Sequence, residues 1–282
     1  MMAGRVLAAI ELGGTKTLVA VTDAGPDPLL IEEYPTADPA ATLKRAVSIL
    51  RAAIGAHGPL GAVGIAAFGP LRVDRTAPDW GSVLATPKPG WSGARIAPFI
   101  ADALGVPVAI DTDVNAAALG EWTWGAGQGC ADIAYVTVGT GIGGGLLLSG
   151  VPRHGLLHPE VGHIRVRRHA DDRFIGACPY HGDCLEGLAS GPAIRARLGA
   201  PLDTLGRDHP FRAVLVDYLA QLCMNLTLIA SVGRIVIGGG AVRNLGLLPE
   251  LGEALRAALG GYGDGHGFGP ELVAPAFAHS GL

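Results

Sequence analysis

The spacing of apolar and polar residues along the chain predicts an α/β protein. Apolar runs of about four to eight residues, bounded by glycine or polar positions, are typical of buried strands. They predict strands at residues 6–12, 17–21, 62–67, 106–111, 133–138, 144–148 and 235–237. Longer segments of helical composition predict helices at residues 40–56, 114–122, 210–231 and 249–259.

The order of these elements repeats once. Residues 6–21 are predicted to form a strand, a Gly-rich turn with a threonine and a second strand, and residues 133–148 repeat that pattern. This layout is expected for two facing α/β domains with a nucleotide between them. We therefore predict an N-terminal domain at residues 1–112 and a larger C-terminal domain at residues 113–282. A polar, histidine-rich segment at about 153–187 indicates a functional insertion in the second domain.

Composition narrows the classes of function. Hydrophobic residues make up 49% of the 282 residues and charged residues 16%, which supports a packed core and not a disordered chain. The net charge of -4, without a basic stripe, argues against a nucleic-acid partner. Residues 1–5 lack a secretory signal and no apolar run approaches about 18 residues, so we expect a cytoplasmic protein without a membrane partner. The four cysteines are then expected to be reduced thiols or metal ligands.

Three glycine turns follow predicted strands. Gly13, Gly14, Thr15 and Lys16 lack both the Walker spacing and the G-x-G-x-x-G spacing, and they join two strands. A glycine pair at a strand tip lets backbone N–H groups approach a phosphate, although many such hairpins are only turns.

The second and third turns extend this pattern. The second contains Gly139, Thr140, Gly141 and Gly143 within a run of five glycines in seven residues, which favours an anion-binding concavity over a loose hairpin. The third, Gly238, Gly239 and Gly240, offers a flat backbone surface to adenine or ribose.

The motif Asp111-Thr112-Asp113-Val114-Asn115 lies between a buried strand and a helix. Phosphorylation of a sugar needs a base that accepts the proton of the attacking hydroxyl, and Asp113 is placed for that role. Asn115 is a candidate for binding a neighbouring sugar hydroxyl. The alternative is that Asp111 or Asp113 caps the helix, and one carboxylate can cap while the other acts.

A compact Cys/His cluster lies in the polar insertion. Cys178, His181 and Cys184 follow one another at three-residue steps, and His163 precedes Cys178 by fifteen residues. Four nitrogen and sulfur ligands of this mixture suit a tetrahedral Zn2+ with no open position, so we predict a structural metal. The alternative is that thiols and histidines share this loop by chance.

In this order the motifs resemble the ROK family, the bacterial sugar kinases and repressors of the actin-like ATPase superfamily. The resemblance covers nearly the whole chain and is strongest to the fructokinase branch. It rests on residues 10–17, 86–91 (TPKPGW), 111–115, 139–145, 158–163 (HPEVGH), 178–187 and 238–241. It implies an actin-like, ribonuclease H-like two-domain fold with a nucleotide and sugar cleft between the domains. It also implies phosphorylation of D-fructose by ATP to fructose 6-phosphate.

The resemblance also implies roles for individual residues. Asp113 is the general base, and Asn115, Glu160, His163 and Glu186 hold sugar hydroxyls. The three glycine turns bind ATP, which arrives with Mg2+. His163, Cys178, His181 and Cys184 hold a structural Zn2+ that shapes the sugar site. The family likeness further implies a homodimer.

The chain departs from the family pattern at three places. Glu11 stands where many relatives have an aspartate near Mg2+, and His181 replaces a third cysteine. In relatives we also expect a further helix after the position of residues 278–282, which this sequence lacks. Two other functions stay open: a ROK kinase for glucose, mannose or an N-acetylhexosamine, and a zinc-stabilised sugar-binding protein without catalysis. A repressor is disfavoured because only a few residues precede the first strand.

Overall fold

A computed structural model describes residues 6–23, 25–200, 204, 206, 208–263 and 265–277. The expectations about residues 1–5 and 278–282 concern positions outside this description. The described residues divide into two compact units, a first unit that contains those up to residue 120 and residues 154–158 and a second unit that contains residues 121–153 and those from 159 to 277.

The first unit contains a five-stranded mixed sheet in the order β3-β2-β1-β4-β5. Strands β1 to β3 pair antiparallel, whereas β1, β4 and β5 run parallel. The strands are β1 (Val6–Leu12), β2 (Lys16–Thr22), β3 (Leu30–Pro35), β4 (Leu60–Ala67) and β5 (Val108–Thr112). The helices are α1 (Pro39–His57), α2 (Ile96–Leu104) and α3 (Asp113–Trp124).

Helix α1 shows how sequence sets these elements. The Asp38 carboxylate accepts a hydrogen bond from the Ala41 backbone N–H at 2.9 Å, and Pro39 starts the helix where no N–H is needed. Its apolar face buries Leu43 and Leu50 in the core of this unit. Contacts change from the first unit to the second between residues 120 and 121, inside α3, whereas the sequence placed a boundary at 112/113.

The second unit contains a second five-stranded sheet, in the order β10-β9-β6-β7-β8. Its strands are β6 (Ile133–Val138), β7 (Ile142–Leu148), β8 (Val151–Pro152), β9 (Arg234–Gly238) and β10 (Glu271–Val273). Its helices are α4 (Leu185–Ala189), α5 (Gly191–Leu198), α6 (Phe211–Ala230), α7 (Gly240–Leu245) and α8 (Leu248–Leu259), with a 3-10 turn at Val161–His163.

The two sheets share one topology. Strands β6, β7 and β8 pair antiparallel as β1, β2 and β3 do, and β6, β9 and β10 run parallel as β1, β4 and β5 do. Each unit therefore has the 3-2-1-4-5 strand order of the ribonuclease H-like fold. This duplication confirms the actin-like ATPase fold predicted from the sequence. It also sets a glycine turn directly after the first strand of each sheet.

Helix α6 is long and largely apolar. In the described part of the chain it is the one helix that is long and apolar enough to cross a membrane, and its charged residues are Arg212 and Asp217. Polar residues still interrupt it every few positions, as expected from the sequence, in which no uninterrupted apolar run approaches about 18 residues. Twelve of its twenty residues are nevertheless buried inside the second unit, where it packs against α8. Its apolarity is that of a core helix.

Candidate functional site

The first glycine turn forms the tip of the β1–β2 hairpin. The Gly13 N–H donates to the Lys16 carbonyl at 3.0 Å, and Thr36 holds the tip by donating its hydroxyl to the Gly13 carbonyl at 2.9 Å and its N–H to the Thr15 carbonyl at 2.9 Å. A Cβ on Gly13 would lie 2.8 Å from the Lys16 carbonyl, so the turn requires glycine there. Gly14 and Thr15 are exposed.

Two lysines lie at this hairpin, in different environments. Lys16 forms a 2.8 Å ion pair with Glu33 of β3. Lys88 donates to the Gly14 carbonyl at the tip, and its ammonium lies over the rings of Phe68 and Trp91. Sequence reasoning quoted Lys88 within the TPKPGW segment but gave it no role. The available signal in the sequence was a lysine between two prolines, three residues before a tryptophan.

Asp113 is the first residue of α3 and follows β5 directly. Its Oδ1 accepts from the Val114 N–H at 2.9 Å. The helix cap is supplied by Thr112, whose hydroxyl accepts from the Asn115 N–H at 3.2 Å. Neither Asp111 nor Asp113 makes that bond, so the capping alternative does not account for Asp113.

The environment of Asp113 makes its carboxylate more basic than usual. Burial is the main cause that raises the pKa of Asp113 to about 6; the Val114 N–H opposes this shift and the nearby Glu11 carboxylate adds to it. Glu11 lies in β1, opposite Ala66 of β4, so its carboxylate reaches the same edge of the sheet. A carboxylate that is ionised at neutral pH and still basic is suited to accept a proton.

Asn115 lies beside Asp111 and His154. Its Nδ2 donates to Asp111 Oδ1 at 2.8 Å, and His154 Nε2 lies 2.9 Å from Asp111 Oδ2. The Asn115 side chain is buried, and its Oδ1 has no hydrogen-bond partner among the described residues. A buried amide oxygen of this kind is an acceptor for a ligand hydroxyl. His154 was not predicted.

The second glycine turn is shorter than predicted. The Gly139 N–H donates to the Gly141 carbonyl at 2.9 Å, and strand β7 already begins at Ile142. Gly143 therefore pairs with Thr137 within the sheet, which corrects the prediction that residues 139–145 form a turn and that the second strand starts at residue 144. Glycine is uncommon inside strands, so the run of glycines at residues 143–145 caused the start of β7 to be predicted too late.

Helices α4 and α5 support this turn from one side. The Glu186 carboxylate accepts from the Ile142 N–H at 2.9 Å, and the Gly191 N–H donates to the Gly139 carbonyl at 2.8 Å. A Cβ on Gly141 would lie 2.7 Å from Glu186 Oε2. Glu186, predicted to hold sugar, thus contacts the glycine turn as well.

The third glycine turn packs beside the second. Gly238 ends β9, Gly239 adopts a φ of 90°, and Gly240 begins α7. A Cβ on Gly239 would collide with the Val138 backbone at the end of β6. Since Gly139 follows Val138, the structure brings the second and third turns together at the carboxyl ends of parallel strands, where α/β proteins bind ligands.

The predicted metal ligands converge in the second unit. One ligand atom from each of His163, Cys178, His181 and Cys184 lies within 4.8 Å of the others. His163 Nδ1 is 3.5 Å from Cys184 Sγ and 3.8 Å from Cys178 Sγ, and His181 Nδ1 is 3.7 Å from Cys178 Sγ.

These separations fit a tetrahedral zinc ion. Bond lengths of about 2.3 Å to sulfur and about 2.05 Å to nitrogen separate two tetrahedral ligands by about 3.6 Å. Mutual backbone hydrogen bonds between Cys178 and Gly182, at 2.9 and 3.1 Å, form the tight loop that carries His181. Cys184 occupies the N-cap position of α4, and Glu186 follows two residues later in that helix.

The remaining predicted sugar residues flank the 3-10 turn. The His163 N–H donates to the Glu160 carbonyl at 3.0 Å, so the turn fixes the two residues relative to each other. Because Nδ1 of His163 faces the sulfur atoms, its Nε2 points away from them. The predicted residues therefore form two groups, with Glu11, Asp113 and Asn115 in the first unit. Glu160, His163 and Glu186 lie in the second with the metal cluster.

Comparison with known proteins identifies the family. The sequence profile of the ROK family matches residues 7–264. The fructokinase of Zymomonas mobilis is 42% identical over 275 residues, which are 96% of this chain and 91% of the relative. A ROK hexokinase from Thermus thermophilus has a TM-score of 0.82 at 29% identity, over 98% of this chain and 95% of that one.

A second solved structure has the same fold. The ROK family glucokinase from Streptomyces griseus, in complex with glucose and AMPPNP, has a TM-score of 0.71 at 25% identity, over 98% of this chain and 96% of that one. The family profile spans most of the sequence, and the fructokinase relative is similar over nearly all of it. The chain belongs to the ROK family.

Proposed function

We propose that this protein is an ATP-dependent hexose kinase that converts D-fructose to fructose 6-phosphate. The substrate follows from the fructokinase relative, which is 42% identical. The assignment of ATP as the phosphate donor follows from the Streptomyces griseus relative, whose complex contains the ATP analogue AMPPNP. The observation that supports catalysis is the Asp113 carboxylate, which lies at the start of α3, does not supply the cap made by Thr112, and has a pKa of about 6.

Asp113 is the general base of this proposal. It accepts the proton of the C6 hydroxyl while that oxygen forms a bond to the γ-phosphorus of ATP. The bond from the γ-phosphorus to the β–γ bridging oxygen breaks, and ADP leaves with the bridging oxygen. A pKa of about 6 leaves most of the carboxylate ionised at neutral pH and still basic enough to help the transfer.

Four further residues bind sugar hydroxyls in this proposal. Asn115 is supported by its buried, unpartnered Oδ1, which pairs with a hydroxyl proton at no cost in competing bonds. Glu160 and His163 are assigned because they lie at the 3-10 turn beside the Cys/His cluster. Glu186 is assigned because it lies on α4, which begins directly after Cys184. Carboxylates and an imidazole nitrogen accept or donate to several hydroxyls of one sugar.

The glycine turns bind the nucleotide. Backbone N–H groups at residues 13–16 and 139–143 suit phosphates, and Gly238, Gly239 and Gly240 suit adenosine. Mg2+ enters with ATP and bridges its phosphates. The Glu11 carboxylate is the proposed protein group on the Mg2+ side, and its effect on the pKa of Asp113 supports a position close to the base.

We assign Zn2+ to the Cys/His cluster as a structural ion. Its four protein ligands leave no coordination position for chemistry, so the metal orders the loop that carries Glu160 and His163. The same loop exposes Ile175 and Tyr180, at 86% and 64%, which suits an interface in a homodimer. Free thiols at all four cysteines suit the cytoplasm.

A coupled ADP-release assay tests the function. Mg-ATP is supplied with fructose, glucose, mannose or N-acetylglucosamine, and Asp113→Asn is assayed beside the wild type. We expect turnover on fructose that Asp113→Asn lowers by about a thousandfold or more. Leu119→Gln, an exposed change on the same helix, serves as the matched control. If the enzyme prefers another hexose, the assignment of fructose is wrong and the proposed mechanism stands. If folded, metal-loaded protein turns over none of the four sugars, the proposal that it is a kinase is refuted.

A further inference from the structure

We propose that the ammonium of Lys88 binds the γ-phosphate of ATP at the tip of the β1–β2 hairpin, where the sequence indicated Lys16 as the lysine of the nucleotide-binding turn. The inference rests on the proposed kinase function and names the cation of its phosphate site. Lys88 belongs to the loop between β4 and α2, 74 residues from Gly14 in the chain, and the fold brings it to the hairpin tip.

The position of Lys88 is fixed by aromatic side chains. Its Nζ lies 5.2 Å from the Phe68 ring centroid and 5.8 Å from that of Trp91. The Trp91 side chain is completely buried, and its indole N–H donates to the Ala37 carbonyl at 3.1 Å. The two rings pack edge to face at 5.0 Å. Ring faces attract a cation without neutralising it, so they hold the ammonium and leave its charge available.

The two lysines differ in their counter-ions. Lys16 is paired with Glu33 at 2.8 Å on the exposed face of the sheet. For Lys88, the described residues offer no carboxylate within the 4.0 Å of an ion pair. Partial burial lowers the pKa of Lys88 because the charged form is less well solvated there. An anionic ligand would supply the missing counter-charge.

The contact with Gly14 also changes what the hairpin tip offers an anion. A carbonyl oxygen at the tip repels a phosphate, and the Lys88 ammonium covers that oxygen. An ammonium has three N–H donors, and this contact uses one of them. The tip then combines a positive charge with the backbone of an exposed Gly-Thr turn, a combination that suits a phosphate.

The test removes the positive charge of Lys88 and keeps a hydrogen-bond donor at that position. Lys88→Gln retains an N–H for the Gly14 carbonyl, Lys88→Arg retains the charge, and Lys16→Gln tests the other lysine. Lys44→Gln, on the exposed face of α1, is the matched control. Calorimetry with AMPPNP and with ADP separates the γ-phosphate from the rest of the nucleotide, and steady-state kinetics gives kcat and KM for ATP.

We expect Lys88→Gln to weaken AMPPNP binding about tenfold or more and ADP binding less than about twofold. Its kcat falls, Lys88→Arg restores most of both losses, and Lys16→Gln has a smaller effect than Lys88→Gln. Equal losses for ADP and AMPPNP, an effect of Lys16→Gln as large as that of Lys88→Gln, or no rescue by arginine overturns the inference. A wild type that binds AMPPNP and phosphorylates no hexose refutes the proposed function, and the binding comparison still decides the role of Lys88.

Discussion

The Glu186 carboxylate accepts a hydrogen bond from the backbone N–H of Ile142 at 2.9 Å, and this bond ties the metal loop to the second glycine turn. Glu186 lies on the five-residue helix α4, whose N-cap position is occupied by the proposed metal ligand Cys184. A displacement of Cys184 is therefore transmitted through less than two helical turns to the start of β7. The second glycine turn and the Cys/His cluster, the proposed nucleotide and metal sites, are therefore supported by the same short helix.

Replacing Glu186 separates its two proposed roles. Glu186→Ala leaves the buried Ile142 N–H without its acceptor, which costs about 1–2 kcal/mol of unfolding free energy and raises KM for ATP. Glu186→Gln keeps an amide oxygen for that N–H, so stability and KM for ATP stay near wild type. Both variants raise KM for the hexose because both lose the carboxylate. Urea unfolding and kinetics with each substrate varied measure these effects; equal KM for ATP in the two variants contradicts the coupling.

Removing the metal is expected to loosen the same support. A strong chelator should lower Tm by roughly 5–15 °C, because the two buried thiols and two imidazoles then lose the ion that orders their loop. Cys178→Ser should abolish zinc binding and reproduce that loss, whereas Cys130→Ser, outside the cluster, should retain one zinc per chain. Elemental analysis and thermal unfolding measure both. Purified protein without zinc that melts like Cys178→Ser would contradict the structural assignment.

The sequence predicts those parts of the fold and site that are local in the chain. Continuous apolar runs set the bounds of β1 and β6 correctly, and the four candidate metal ligands lie within one segment of the chain. Strand β3 was missed because four of its six residues are exposed, so it lacks a buried pattern. Lys88 at Gly14 and His154 at Asp111 were missed because 74 and 43 residues separate the partners. Only the tertiary fold makes these pairs neighbours.

The pKa of Asp113 predicts the acid limb of the pH–rate profile. In the free enzyme kcat/KM should fall about tenfold per pH unit below about pH 6, where the base becomes protonated, and should level off above about pH 7. The residual activity of Asp113→Asn should lack this limb. Steady-state rates between about pH 5 and 8 measure it, with a pH-independent coupling system as control. An unchanged acid limb in Asp113→Asn assigns it to another group.

The raised pKa of Asp113 also predicts that this carboxylate lowers the free energy of unfolding at neutral pH. Burial raises the pKa of Asp113 from its ordinary 3.8 to about 6, so the folded state disfavours the charged form. The cost is absent below pH 3.8, grows between 3.8 and 6 and is complete above 6. Asp113→Asn should therefore be more stable than wild type by about 1–3 kcal/mol at pH 7 and equally stable near pH 3.8. Chemical unfolding at both pH values measures the difference, which would vanish at both if Asp113 were well solvated.

A buried ion pair anchors the segment between the candidate metal ligands His163 and Cys178. Asp172 receives hydrogen bonds from Arg197 of α5 and from the Tyr218 hydroxyl of α6 at 2.6 Å, and the Arg197 guanidinium stacks on Phe174 and Phe211. Burial alone would raise the pKa of Asp172, but these hydrogen bonds bring it down to about 2. Its stabilising effect is therefore present above the ordinary value of 3.8 and is lost as pH falls through about 2.

Asp172→Asn should cost about 3–5 kcal/mol at pH 7, because it leaves the Arg197 charge buried without its counter-ion. Tyr218→Phe removes two hydrogen bonds, the one that the hydroxyl donates to Asp172 and the one that it accepts from the His169 N–H, and should cost about 1–3 kcal/mol. Arg72→Gln breaks the exposed pair with Asp79 and serves as the control, with an expected change below about 1 kcal/mol. Urea unfolding at pH 7 ranks the three variants. If Asp172→Asn lowered the unfolding free energy no more than Arg72→Gln does, the ion pair would not hold this segment. The proposed metal ligands alone would then hold it, and chelation would unfold the segment entirely.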